Sequence, residues 1–179
     1  MKIFISGGCK NGKSSYAQDI AHKMRKPDAP LYYLATMIPT DKEDEDRIIR
    51  HKKDREGYGF ETIEIGRDIL TAASKCDKRG TFLLDSTTAL LANEMFPPES
   101  SARPDAYKKV TDDLLQLLEK INSIVIVSDY IYSDAMIYDE QTEAYRRALA
   151  HIDKKIAAAC DTVIEACYGT LITHKGRRQ

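Results

Sequence analysis

Along the chain, short continuous apolar runs alternate with longer stretches whose apolar residues recur at helical spacing. Ile3-Phe4-Ile5, Leu31-Tyr32-Tyr33-Leu34-Ala35, Thr81-Phe82-Leu83-Leu84-Asp85 and Ile124-Val125-Ile126-Val127 read as buried strands. Phe60-Glu61-Thr62-Ile63-Glu64-Ile65 alternates in polarity, as an edge or half-exposed strand does. Between these runs the pattern predicts helices over residues 13–26, 41–55, 67–75, 104–121 and 140–159. In the fourth, Val110, Leu114, Leu117, Leu118 and Ile121 line one face. The second is unlike the others: Ile48 and Ile49 are its only strongly apolar residues, so it is expected at the surface or over a ligand. Near the end, Thr162-Val163-Ile164-Glu165-Ala166 and Leu171-Ile172-Thr173 flank Tyr168-Gly169 and predict a hairpin. Strands that alternate with helices imply an α/β fold with a mostly parallel sheet. Ligands of such a sheet sit beyond the carboxyl ends of its strands, which fall here near Ser6, Thr36, Asp85 and Asp129.

The first of those ends carries the strongest motif. Gly7-Gly8-Cys9-Lys10-Asn11-Gly12-Lys13-Ser14 has the spacing G-x-x-x-x-G-K-[ST], directly after an apolar strand and before a helix. That context separates it from a glycine-rich turn that binds nothing. Such a loop wraps backbone N–H groups around a nucleotide's phosphates, aims Lys13 at the β/γ-phosphates and brings the Ser14 hydroxyl to Mg²⁺. The following helix adds the positive end of its dipole.

Composition narrows the partners. In 179 residues, 27 Lys and Arg face 28 Asp and Glu, so no large basic surface for nucleic acid or anionic lipid is expected. The length suits a single domain over 1–179. The one basic cluster, His174-Lys175-Gly176-Arg177-Arg178, reads as a solvated tail. Cys9, Cys76, Cys160 and Cys167 are scattered, which favours free thiols in a reducing compartment. No long apolar run occurs, and the chain opens straight into a strand. A cytoplasmic protein, not a membrane one, is expected.

Two further residues carry candidate chemistry. Asp85 ends an apolar strand, where a carboxylate serves Mg²⁺ or its water shell opposite Ser14, and Ser86 or Thr87 is available to cap the next helix in its place. His51 lies on the charged helix among Arg50, Lys52, Lys53 and Arg55. Neighbouring cations favour a neutral, nucleophilic imidazole and hold phosphate near it, and such an imidazole can attack an α-phosphate. From composition and spacing alone, an exposed surface histidine is the favoured reading. His22, His151 and His174 lack converging partners, and no pair has zinc spacing.

Taken together, these residues resemble the bifunctional adenosylcobinamide kinase / adenosylcobinamide-phosphate guanylyltransferase family. Tyr33-Leu34-Ala35-Thr36, followed by Asp41, Glu43, Arg47-Ile48, His51 and Arg55, is similar to that family's Y-I-A-T…D-x-E…R-I-x-x-H-x-x-x-R at the same spacing. Phe60 to Glu64 resembles its W-x-T-x-E strand, and Leu83 to Asn93 its L-L-D-C-L-T-x-W-x-x-N segment. The resemblance implies a P-loop NTPase-like (RecA-like) fold with a C-terminal antiparallel hairpin strand. It implies Mg²⁺, phosphorylation of adenosylcobinamide from ATP or GTP, and transfer of GMP from GTP through a guanylylated His51. By the same likeness the nucleotide is held by Gly7, Gly8, Cys9, Lys10, Asn11, Gly12, Lys13, Ser14 and Ser15 of the loop, together with Ala35, Thr36, Met37, Lys52, Lys53, Asp54, Arg55, Glu64 and Asp85. A homotrimer with the exposed helix near a subunit boundary is also implied.

The departures lie in one half. Where the family has N-E-V-G and further glycines, this chain has Asp129-Tyr130-Ile131-Tyr132-Ser133-Asp134-Ala135-Met136-Ile137-Tyr138. Where it has F-R-D-x-x-G-x-x-N-Q, this chain has Tyr145-Arg146-Arg147-Ala148-Leu149-Ala150-His151-Ile152-Asp153-Lys154. Two other readings therefore stay open: a P-loop kinase or nucleotidyltransferase with a different acceptor, and a nucleotide-binding partner protein without turnover.

Overall fold

A computed structural model describes residues 1–176. Strand β1 (Lys2–Gly7) pairs in parallel with β5 (Ser123–Asp129) on one side and β6 (Thr162–Cys167) on the other. Beyond β5 come β4 (Thr81–Asp85), β2 (Leu31–Ala35) and the edge strand β3 (Glu61–Glu64), all parallel. Strand β7 (Thr170–Lys175) closes the other edge as the antiparallel partner of β6, giving the order β3-β2-β4-β5-β1-β6-β7.

The continuous apolar runs are explained by two covered faces. Successive side chains of a strand point to opposite sides, so Ile3 and Ile5 join one core while Phe4 joins the other. The first core forms against helix α1 (Lys13–Met24) through Ala17, Ile20 and Ala21. The second is larger and packs α4 (Thr87–Met95), α5 (Ala106–Lys120) and α6 (Glu140–Ala159), with Val110, Leu114, Leu117 and Leu118 of α5 inward as their spacing predicts. Because α1 follows β1 on one face and α6 follows β5 on the other, a crevice opens beyond the adjoining ends of β1 and β5.

Helix α2 (Lys42–Asp54) buries no residue. Local terms hold it: the Asp41 carboxylate accepts from Asp44 N–H at 2.9 Å, acids fill its first turn and His51, Lys52 and Lys53 its last.

Two expectations change. The helix predicted over 67–75 is a 3-10 turn (Ile69–Thr71) followed by α3 (Ala72–Lys75). Asp68 is left-handed (φ 51°) and its N–H is taken by Glu94 Oε1 at 2.9 Å. Lys109 Nζ gathers Asp68, Glu94 and Asp113 at 2.7–3.0 Å, so contacts across to α4 and α5 override the local helical preference. Over its described part the basic cluster is exposed, as expected, but it is not a tail: His174 and Lys175 belong to β7. His174 Nε2 meets Glu165 at 2.8 Å, and Lys175 Nζ donates to the carbonyls of Ala157 and Ala158 at the end of α6. Arg177 and Arg178 lie outside the described residues. Among the described residues, no helix is long and apolar enough to cross a membrane, and all four cysteines are free.

Candidate nucleotide site

The loop from Gly7 to Ser15 joins β1 to α1 at the crevice. A Cβ on Gly7 would lie 2.5 Å from Asn11 Nδ2 and 2.6 Å from the Ala166 carbonyl. Glycine is required there because the Asn11 amide crosses the loop to donate to that carbonyl. Gly12, at φ 82°, takes a conformation that β-carbons disfavour and leaves α1 without a side-chain cap. The first-turn N–H groups of α1 therefore have no side-chain acceptor, whereas Asp41, Ser86 and Asp139 cap α2, α4 and α6. Cys9, Lys10, Gly12 and Ser15 are exposed, and Gly8, Asn11 and Ser14 are partly so.

Lys13 is buried along the crevice floor. Its ammonium donates to the Gly8 carbonyl at 2.9 Å and forms an ion pair with Asp129. Asp129 ends β5 in register with Gly7, one strand from the loop. Its own N–H is held by Thr88 Oγ1 at 2.9 Å. The sequence marks Asp129 only as a strand end. Nothing local distinguishes it from Asp85, and strand order alone puts it beside Lys13.

Asp85 ends β4, two strands from β1, or about 10 Å at sheet spacing. Tyr33 OH donates to its Oδ2 at 2.9 Å. Burial, and then the Asp85 charge, push the Tyr33 hydroxyl far above the usual phenol range, so it remains a donor. Ser86 caps α4 through Ala89 N–H, which frees Asp85 from that duty. Among the described residues, no hydrogen bond engages the Ser14 hydroxyl, and no group of three or more His, Cys, Asp or Glu surrounds a metal position. One hydroxyl and one carboxylate suit a hydrated Mg²⁺ that takes its other ligands from phosphates and water.

The remaining predicted residues gather at the ends of β2 and β3. Thr36 is fully buried, its hydroxyl donating to the Ser86 carbonyl at 2.8 Å and accepting from Ser86 N–H at 2.7 Å. Asn93 Nδ2 bridges the carbonyls of Thr36 and Gly66. Thr36 thus pins β2 to the β4–α4 turn, with Ala35 and Met37 partly buried on either side. The Arg55 guanidinium is buried 4.1 Å over the Tyr33 ring and donates to Thr62. Lys52 meets Glu64 at 3.3 Å, and Lys53 and Asp54 are exposed. His51 is half-buried on α2, and no hydrogen bond, ion pair or ring contact joins it to the loop among the described residues. Glu64 ends β3, four strands from β1 and about 19 Å across the sheet.

On the other side, residues 130–139 form a braced wall. Buried Arg146 donates to the carbonyls of Ile131 and Met136 and to the Asp134 carboxylate, with its guanidinium 4.7 Å over Tyr138. Beneath them Asp153 accepts from Ser128 Oγ at 2.8 Å and Tyr132 OH at 2.9 Å. Burial pushes the Asp153 carboxyl up to about 7, against the lowering effect of those bonds. Sequence reasoning passes over Asp153, because only the fold closes a buried cluster around it. Met136 and Ile137 at the tip are 65% and 94% exposed.

In fold the chain is similar to the flagellar accessory protein FlaH from Methanocaldococcus jannaschii (TM-score 0.54, 15% identity, 99% of this chain and 81% of that one). It is also similar to a second solved structure, an isolated ATPase domain (TM-score 0.55, 13% identity, 98% and 77%). At these identities the likeness shows the fold alone, a P-loop ATPase-like sheet flanked by helices with a C-terminal hairpin. No protein of curated function matches the sequence. The family model for cobinamide kinase / cobinamide phosphate guanyltransferase matches residues 3–173.

Proposed function

The chain belongs to the cobinamide kinase / cobinamide phosphate guanyltransferase family, and from that premise we propose that it performs both reactions, the second through His51. The observation that carries the reading is the buried Lys13 ammonium beside an uncapped helix start at the crevice. In the kinase step the Lys13 ammonium and loop N–H groups neutralise charge on the transferring γ-phosphoryl of ATP or GTP. Ser14 and Asp85 hold Mg²⁺, which offsets phosphate charge. In the transfer step a ring nitrogen of His51 attacks the α-phosphorus of GTP; the N–P bond forms, the α–β bridging P–O bond breaks, and pyrophosphate leaves. A phosphate oxygen of cobinamide phosphate then attacks that phosphorus and expels neutral His51.

Arg55, Glu64, Lys52, Lys53 and Asp54, with Ala35, Thr36 and Met37, form the guanine-nucleotide half at the ends of β2 and β3. The chain works as a single P-loop domain over 1–179, in the cytoplasm and as a homotrimer. Two features support nucleotide chemistry at two stations: a phosphate loop at β1, and a cation-rich helix end four strands away.

The test is intact mass after incubation with Mg²⁺ and GTP, wild type against His51→Ala. An acid-labile GMP adduct in the wild type alone establishes the half-reaction without an acceptor. GTP binding with no adduct in the wild type would refute the His51 intermediate.

A further inference from the structure

We propose that Asp129 is a catalytic residue of the phosphoryl-transfer step, the carboxylate that takes the proton of the acceptor hydroxyl. The proposal rests on the kinase reading above. An ammonium has three donors. On Lys13 one goes to the Gly8 carbonyl and one to Asp129, which leaves the third for a phosphate oxygen. Asp129 therefore has no need to leave when nucleotide binds. Two acceptors on one ammonium lie about 4.5–5 Å apart, given ordinary hydrogen-bond lengths, which is room for one hydroxyl oxygen between carboxylate and phosphate.

The surroundings fit that role. The Asp129 side chain is 15% exposed, so it is reachable from the crevice yet largely shielded. Thr88 holds its backbone N–H, and Tyr130 N–H bonds the Gly7 carbonyl at 3.2 Å, which ties this strand end to the phosphate loop. Asp85, the other strand-end acid nearby, is tied to Tyr33 on the α2 side. The two carboxylates thus divide the crevice, Asp85 towards Tyr33, where it would hold Mg²⁺ with Ser14, and Asp129 towards the braced 130–139 wall. In the step, the acceptor O–H bond breaks as its proton passes to Asp129. Its oxygen bonds the γ-phosphorus, and the β–γ bridging P–O bond breaks with its electron pair on the departing nucleoside diphosphate. The proton then returns to water.

The experiment measures phosphorylation of cobinamide with Mg²⁺ and ATP, nucleotide KM, and the GMP adduct from GTP, in wild type, Asp129→Asn and Asp129→Glu. A general base contributes roughly 100- to 10,000-fold. Asp129→Asn is expected to lower kcat at least 100-fold while nucleotide KM stays or falls, because a negative charge near the phosphates is gone. Asp129→Glu should recover part of the rate. A residue that merely positions Lys13 would instead raise nucleotide KM in step with the lost rate, and that result overturns the proposal. So does Asp129→Asn turning over within threefold of wild type. A wild type that forms the adduct but phosphorylates no cobinamide overturns it too, leaving the guanylyltransferase reading standing. The expected kcat loss in Asp129→Asn together with no adduct in the wild type supports Asp129 and refutes His51.

Discussion

The phosphate loop and helix α2 hold the two strongest motifs of the chain, and the fold treats them in opposite ways. The loop is built into the sheet: Lys13 is buried and paired, Asn11 is bonded across to β6, and Gly7 leaves no room for a methyl group. Helix α2 buries nothing, and its His51 contacts no part of the loop among the described residues. The proposed phosphate station is therefore built into the sheet, while the proposed histidine station needs ligand, motion or a neighbouring subunit to meet it. Mobile catalytic elements come from the weakly packed parts of a fold for this reason.

The contrast can be broken from either side. Lys13→Ala should have the largest effect, weakening GTP binding in titration calorimetry by two orders of magnitude or more. Retained affinity would mean that the built loop is not the phosphate station. Gly7→Ala should lower stability to chemical denaturation by up to about 3 kcal/mol, because a backbone carbonyl and the Asn11 amide occupy the space of the new methyl group.

The buried cluster beneath the 130–139 wall adds a pH signature. Asp153 ionises near 4 when unfolded and at about 7 when folded. Between those values the folded chain holds the extra proton, so its stabilising contribution is complete below pH 4, fades as pH rises to 7, and is flat above. Stability of the wild type relative to Asp153→Asn should therefore fall by roughly 3 kcal/mol between pH 4.5 and 7.5. A parallel pair of curves would show that the cluster does not hold a neutral acid.

The smallest effect on the fold is expected at the residue with the largest proposed chemical role. His51→Ala should abolish the GMP adduct yet change stability by less than about 0.5 kcal/mol. A loss of 2 kcal/mol or more would mean that α2 is packed in solution and the contrast is wrong.

Much of this was legible in the chain. The strands were, because runs such as Leu31 to Ala35 need apolar residues on both faces of a covered sheet. The bounds of α2 were, because its cap and charge order act within one turn. The segment after Arg67 was not, since Glu94 and Lys109 pull it out of a helix from residues far along the chain. The place of His174 and Lys175 in the last strand was missed because their partners, Glu165 and the end of α6, come with the hairpin. Arg55, which the sequence marks only as one of the cations around His51, is buried on Tyr33.

What the sequence determined alone was every feature set by neighbours within a few residues: alternation of strand and helix, the glycine geometry of the loop, the capped and solvent-facing α2. The tertiary structure decided which acid stands beside Lys13. Asp85 and Asp129 both end apolar strands, but β5 pairs with β1 and β4 does not. Strand order is chosen by burial of both faces of the whole sheet, a sum over the molecule that no local stretch of residues contains.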